Sequence, residues 1–233
     1  MSILLKRLTD SPIVVRAAPF VVFVLLTALQ GTLGDASRYW LYLAKSLVGI
    51  WMIVIVRPFV PELKFAITLR SILAGVLVFS IWVGLDGFYP TTDAIFSWFG
   101  LGSKEAVVPW NPNTQFGAGS AMAWLLIVTR IVGSSLVVPP IEEMFYRSLV
   151  YRWIANPDVE SVSLKRFVWV PFIVTALLFG LAHREWLPGI LCAMIYQSLV
   201  FRRGDLGEAI TAHGVTNLLL GLWVVWKGAW QFW

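Results

Sequence analysis

Glu142 and Glu143 stand side by side in the run Pro139-Pro140-Ile141-Glu142-Glu143-Met144-Phe145-Tyr146-Arg147. Apolar residues flank it at 131–138 and 148–151, so both carboxylates fall in a stretch long enough to lie in a bilayer. A charge at the centre of a membrane helix costs roughly 2.5–3.5 kcal/mol on insertion scales. Ionisable groups at that depth mark functional sites and call for partners. Glu143 and Arg147 are four residues apart, which puts them on one helix face and predicts an ion pair. Glu142 is turned about 100° away and has no cation near it in sequence. One glutamate is held and one is free to take a proton. The same residues also fit an ordinary helix start, with prolines in the first turn and acids at the positive end of the dipole.

Two further polar sites interrupt apolar stretches. Phe179-Gly180-Leu181-Ala182-His183 ends one, and His213-Gly214-Val215-Thr216-Asn217 lies in the first half of another. These are the two histidines of the chain. His213 and Asn217, at i and i+4, share a helix face. A membrane histidine often does no more than satisfy a hydrogen bond between helices. Two of them together with an unpaired glutamate point to chemistry. Measured along the helices at 1.5 Å per residue, Glu142 lies about 15 Å from the edge marked by Arg152. His213 lies about 15 Å from Arg203, and His183 about 25 Å from Arg166.

The elements that must position these residues are helices in lipid. Of 233 residues, 58% are hydrophobic and 13% charged, with a mean hydropathy of +0.78. An ordinary soluble domain carries nearly twice that charge. The pattern predicts an all-α polytopic membrane protein of about seven transmembrane helices, near 13–29, 40–56, 67–85, 121–154, 167–183, 187–201 and 208–226. The fourth is expected to run through Pro139 and Pro140 with a kink. The long loop at 86–120 is expected to hold a short interfacial helix at 94–99. The chain reads as one membrane domain, with a motif-bearing core at about 121–226 and N-terminal helices and loop, 1–120, that carry no recognised motif.

Twelve lysines and arginines fall at one side (Lys6, Arg7, Arg16, Arg57, Lys64, Arg70, Arg147, Arg152, Lys165, Arg166, Arg202 and Arg203). Four fall at the other: Arg38, Lys104, Arg184 and Lys227. That bias predicts a cytoplasmic N-terminus and an outer C-terminus, with Trp40, Trp124, Trp186, Trp226, Trp230 and Trp233 as an outer aromatic belt. The net charge of +5 is a membrane-surface charge and not a nucleic-acid footprint. The single cysteine, Cys192, excludes an intrachain disulfide and a cysteine metal cage.

Glu-Glu-x-x-x-Arg, then Phe-x-x-x-His, then His-x-x-x-Asn, on successive membrane helices, resembles the CPBP (Abi) family, which contains CAAX prenyl-protein endoproteases and bacteriocin-processing enzymes. The resemblance covers residues 125–220. It implies an intramembrane endopeptidase in a bacterial or archaeal cytoplasmic membrane, acting on a peptide or protein substrate that can be prenylated. Its catalytic set would be Glu142, Glu143, Arg147, His183, His213 and Asn217. Peptide hydrolysis needs an activated water and oxyanion donors. Glu142 would activate water with help from His183, and Glu143 and Arg147 would support it. His213 and the Asn217 amide would hold the oxyanion, an effect worth about 2.7–4 kcal/mol per donor elsewhere. Ser134 and Ser135 lack an evident base, which weighs against a serine nucleophile. No His-Glu-x-x-His motif is present, yet a zinc ion on Glu142, His183 and His213 stays chemically open. The expected cavity opens to the cytosol. A transporter, or a catalytically idle scaffold or immunity-type membrane protein, would bury similar groups and forms the alternative.

Overall fold

Several helices start where the sequence supplies a cap or a proline. The computed structural model describes residues 10–101 and 108–233; Lys6, Arg7 and Lys104 of the charge count lie outside them. The Ser11 hydroxyl accepts from the Val14 N–H and Pro12 fills the first turn of α1 (Pro12–Ala28), where a missing N–H costs nothing. Helix α2 is Ser37–Val56, and a reciprocal Thr68–Ser71 capping box opens α3 (Leu69–Gly84). Two short helices follow, α4 (Thr92–Trp98) and α5 (Pro112–Phe116), and only the first was expected. The continuous α6 (Ala121–Ala155) is the longest, at 35 residues. Helices α7 (Trp169–Leu181), α8 (Trp186–Arg203) and α9 (Gly207–Lys227) complete the fold, and no strand occurs among the described residues.

The fold is thus all-helical. Three helical stretches are long and apolar enough to cross a membrane: Ser37–Phe59, Ala121–Ala155 and Gly207–Lys227. Helices α1, α3 and α7 are apolar but shorter. Outward faces are rich in exposed apolar side chains, as at Leu47, Ile50, Trp51 and Val54 of α2 and Leu69, Leu73 and Leu77 of α3. Apolar surface on that scale marks a lipid-facing wall.

The two ends of the bundle differ in chemistry. At one, Arg16 and Arg152 both reach Glu62 Oε1, at 2.8 and 2.9 Å. Ser148 donates to the same oxygen, and Arg70 pairs with Glu208 at 3.4 Å. At the other, Tyr39 donates to the Asn111 carbonyl, Trp110 to the Arg38 carbonyl and Arg184 to the Gln231 carbonyl. The first is the basic end; the second, where Tyr39, Trp110, Phe116 and Trp233 pack together, is the aromatic end.

Helix α6 is not regular. Segments of wider π winding, Gly133–Val137 and Met144–Val150, flank a short α segment, Val138–Glu143, that carries both glutamates. The cause lies in Pro139 and Pro140. The Val138 N–H bonds the Gly133 carbonyl, five residues back. The next two donors in that register are missing because prolines have none, which orphans the carbonyls of Ser134 and Ser135. Helix α9 meets this gap. Asn217 Nδ2 donates to the Ser134 carbonyl at 2.8 Å. Gly214 packs against the Ser135 carbonyl so closely that a Cβ there would sit 2.7 Å from the oxygen.

Candidate active site

That contact between α6 and α9 brings His213 to the two glutamates. His213 Nδ1 lies 2.9 Å from Glu143 Oε1, and both side chains are buried. A carboxylate only accepts, so Nδ1 carries the proton and Nε2 is the other face of the ring. Nε2 lies 3.9 Å from Glu142 Oε2. That separation is too long for a hydrogen bond. A water bonded to both atoms at about 2.8 Å would sit beside the line joining them. Glu142 Oε2 is buried and has no hydrogen-bond partner among the described residues.

Glu143 has a second duty. Its Oε2 lies 3.1 Å from Arg147 Nε, with both residues fully buried. The angle falls outside hydrogen-bond geometry, so the contact is an ion pair by distance only. The Arg147 guanidinium lies over the Phe179 ring, 4.6 Å from its centre. The i, i+4 pair is present even though a π segment begins between its members.

Aromatic and hydroxyl groups fix the histidine further. Tyr196 of α8 stacks on His213, centroids 5.2 Å apart and planes at 26°. Its hydroxyl meets Thr216 Oγ1 at 2.7 Å, and Thr216 donates to backbone carbonyls of α3 and α9. Neither Tyr196 nor Thr216 was singled out from the sequence. Thr216 sits inside the His-x-x-x-Asn spacing, whereas nothing local distinguishes Tyr196.

His183 departs from expectation. Helix α7 ends at Leu181, so His183 stands in the turn before α8 and not on a helix face. Its Nδ1 donates to the Phe179 carbonyl at 2.7 Å, and its ring packs on Phe179 and edge-on to Trp82. It lines the same cavity as Glu142, but the imidazole within 4 Å of Glu142 is that of His213. Among the described residues no three His, Cys, Asp or Glu side chains approach closely enough to hold a metal ion. The open zinc set of Glu142, His183 and His213 does not fit this arrangement.

Glu142, His183, His213 and Asn217 all face one cavity of about 850 Å³. Its walls are largely apolar and aromatic, including Phe20, Phe23, Trp82, Tyr146 and Phe179. The lining away from the helix middles comes from Thr27, Ala28, Arg184, Glu185 and residues 231–233. All belong to the aromatic end, and none to the arginine-rich end that the charge bias assigns to the cytosol.

No curated protein and no solved structure matches the chain. A family model does: residues 123–219, somewhat under half of the chain, match the type II CAAX prenyl endopeptidase Rce1-like family. The match spans Arg130, both glutamates, Arg147, both histidines and Asn217. The motif-bearing segment of this membrane protein is therefore similar to a protease family described as type II CAAX prenyl endopeptidases.

Proposed function

We propose that the protein is an intramembrane endopeptidase of the CAAX type, in which Glu142 and His213 share an activated water. The observation that carries this reading is the buried, unpartnered Glu142 Oε2 set 3.9 Å from His213 Nε2. Glu143 holds the histidine by Nδ1 and leaves Nε2 as a lone pair toward the water, the orienting role that a carboxylate plays for a catalytic imidazole.

The water oxygen attacks the scissile carbonyl carbon, and its proton passes to Glu142. The charge that develops on the carbonyl oxygen needs donors in place beforehand. Asn217 spends one amide N–H on Ser134 and keeps the second for this purpose. As the tetrahedral species collapses, the C–N bond breaks and Glu142 returns the proton to the leaving nitrogen. The products are a peptide with a new carboxylate and one with a new amine. His183 lines the same cavity and leaves its Nε2 without a role in this step. The apolar, aromatic walls suit a membrane-borne protein substrate, and a prenyl chain fits that lining.

The test is cleavage of prenylated and unprenylated membrane peptides by the purified full-length protein, read by mass spectrometry with and without chelator. New termini that vanish with Glu142→Gln support the reading. Intact peptides throughout, from folded protein, contradict it.

A further inference from the structure

One buried carboxylate on the cavity wall is not used by the hydrolytic step. Glu185 stands in the turn that carries His183, at the position that caps α8, and is 6% exposed. Among the described residues no cation comes within 4 Å of it. Its neighbour Arg184 pairs with Asp93 at 3.1 Å and donates to the Gln231 carbonyl. Lys45 and Arg130 also line the cavity and do not reach it. A buried charge is costly unless something pairs with it. Glu142, the other carboxylate on the wall, faces His213 Nε2, whereas Glu185 faces no cation.

The surroundings of Glu185 fix it without using its charge. Tyr89 donates its hydroxyl to Oε2 at 2.7 Å, a bond that a neutral amide oxygen would also accept. A side chain at the cap position ordinarily accepts from the N–H groups of the first helical turn. This one makes no such bond. Its Oε1 accepts from no described residue and is not sealed by protein. The turn itself is fastened by the 89–93 segment: the Thr92 N–H donates to the Arg184 carbonyl at 3.1 Å, and Trp186 Nε1 to the Pro90 carbonyl at 2.8 Å. Neither bond involves the Glu185 side chain. The wall therefore presents a held carboxylate oxygen, two residues from His183, with nothing to neutralise it.

Resting on the protease reading above, we infer that Glu185 is a specificity-determining residue whose free oxygen takes the cationic side chain of a substrate lysine or arginine. Glu142 acts at the middle of α6, and Glu185 lines the cavity towards the aromatic end. The cationic side chain therefore belongs to the part of the substrate that extends from the scissile bond towards this end. A charge-assisted bond in an apolar, aromatic cavity discriminates a cation from its neutral counterpart by about tenfold or more. Tyr89 lies outside the segment that matches the protease family, so the clamp on this carboxylate comes from the other part of the chain.

The experiment measures binding and does not depend on turnover. Full-length protein carrying Glu142→Gln, which removes the rival carboxylate, is purified in dodecyl maltoside, a detergent without an ammonium group. Fluorescent peptides with an apolar end carry one lysine, moved along the chain, and each is titrated beside its acetyl-lysine counterpart. At one position lysine is expected to bind at least about tenfold more tightly. Adding Glu185→Gln, which keeps an acceptor for Tyr89, should shrink that ratio toward one by weakening the lysine form, and Glu185→Asp should keep part of it. Equal binding of lysine and acetyl-lysine at every position overturns the inference, as does a preference that survives Glu185→Gln. A lysine preference that disappears on adding phosphatidylcholine, but not phosphatidylglycerol, assigns the carboxylate to a lipid ammonium group and also overturns it. Should Glu185→Gln fail to fold, the lysine scan and Glu185→Asp still decide. Loss of the lysine preference leaves cleavage by the unmodified protein standing, and absence of cleavage leaves the binding preference standing.

Discussion

His213 Nδ1 lies 2.9 Å from Glu143 Oε1, so the glutamate paired with Arg147 also sets the orientation of the histidine. Arg147, Glu143 and His213 form a buried chain that ends at Glu142. Removing one member of a buried ion pair strands the other, at a cost of about 3–5 kcal/mol. Glu143→Gln and Arg147→Ala are each expected to lower both the melting temperature and turnover. Thermal unfolding in detergent checks this: a variant that melts like the parent shows that the pair is not holding the helix.

The α6–α9 contact predicts an asymmetry between neighbouring positions. A Cβ at residue 214 would meet the Ser135 carbonyl at 2.7 Å, and backbone cannot swing aside as a side-chain tip can. Gly214→Ala should destabilise the fold by about 1–3 kcal/mol and displace His213. Asn217→Leu should cost a similar amount by leaving the Ser134 carbonyl unbonded, and should slow cleavage as well. Melting curves and rates for the two variants provide the check.

Glu62 makes the basic end sensitive to acid. Burial alone would push its carboxyl up, but hydrogen bonds from Arg16 and Ser148, with the Arg16 charge, hold it below the ordinary glutamate value. A carboxyl depressed in the folded state adds stability above its unfolded pKa, about 4.3, and loses it as pH falls through the folded value. Stability should therefore drop on the acid side of about pH 4, and Glu62→Gln should flatten that limb while lowering stability at neutral pH. Denaturation measured from pH 3 to 7 shows which occurs.

The two chemically distinct ends imply a definite orientation. Phe116 packs near Tyr39 and Trp40 at the aromatic end, whereas Glu160 reaches Arg16 at the basic end. Reporter fusions after these residues should report outside and inside respectively. Under that orientation Gln231, on the cavity lining, faces away from the cytosol, and a thiol reagent that does not cross membranes should label a cysteine placed there. The reverse pattern inverts both assignments.

Local periodicity made part of this legible. The Glu143–Arg147 pair and the shared face of His213 and Asn217 follow from four-residue spacing, and the helix limits fall within a few residues of the expected ones. What depends on contact between helices was not legible. The Pro139–Pro140 pair announced a kink, but the π winding settles only because α9 brings Asn217 and Gly214 to the orphaned carbonyls. His183 read as the end of a helix, and the helix stops two residues earlier. The partner of His213 could not be read either, because seventy residues separate it from Glu143.

The central claim is that the two adjacent glutamates divide the work, Glu142 taking the proton of the water and Glu143 holding His213. Turnover and melting temperature of Glu142→Gln and Glu143→Gln, measured side by side on one cleaved peptide, test it most directly. The expected result is a Glu142→Gln protein that melts like the parent, binds peptide and does not cleave, beside a Glu143→Gln protein that is both weakened and slow. A Glu142→Gln protein that still cleaves, beside a stable but inactive Glu143→Gln, would place the base on the other residue.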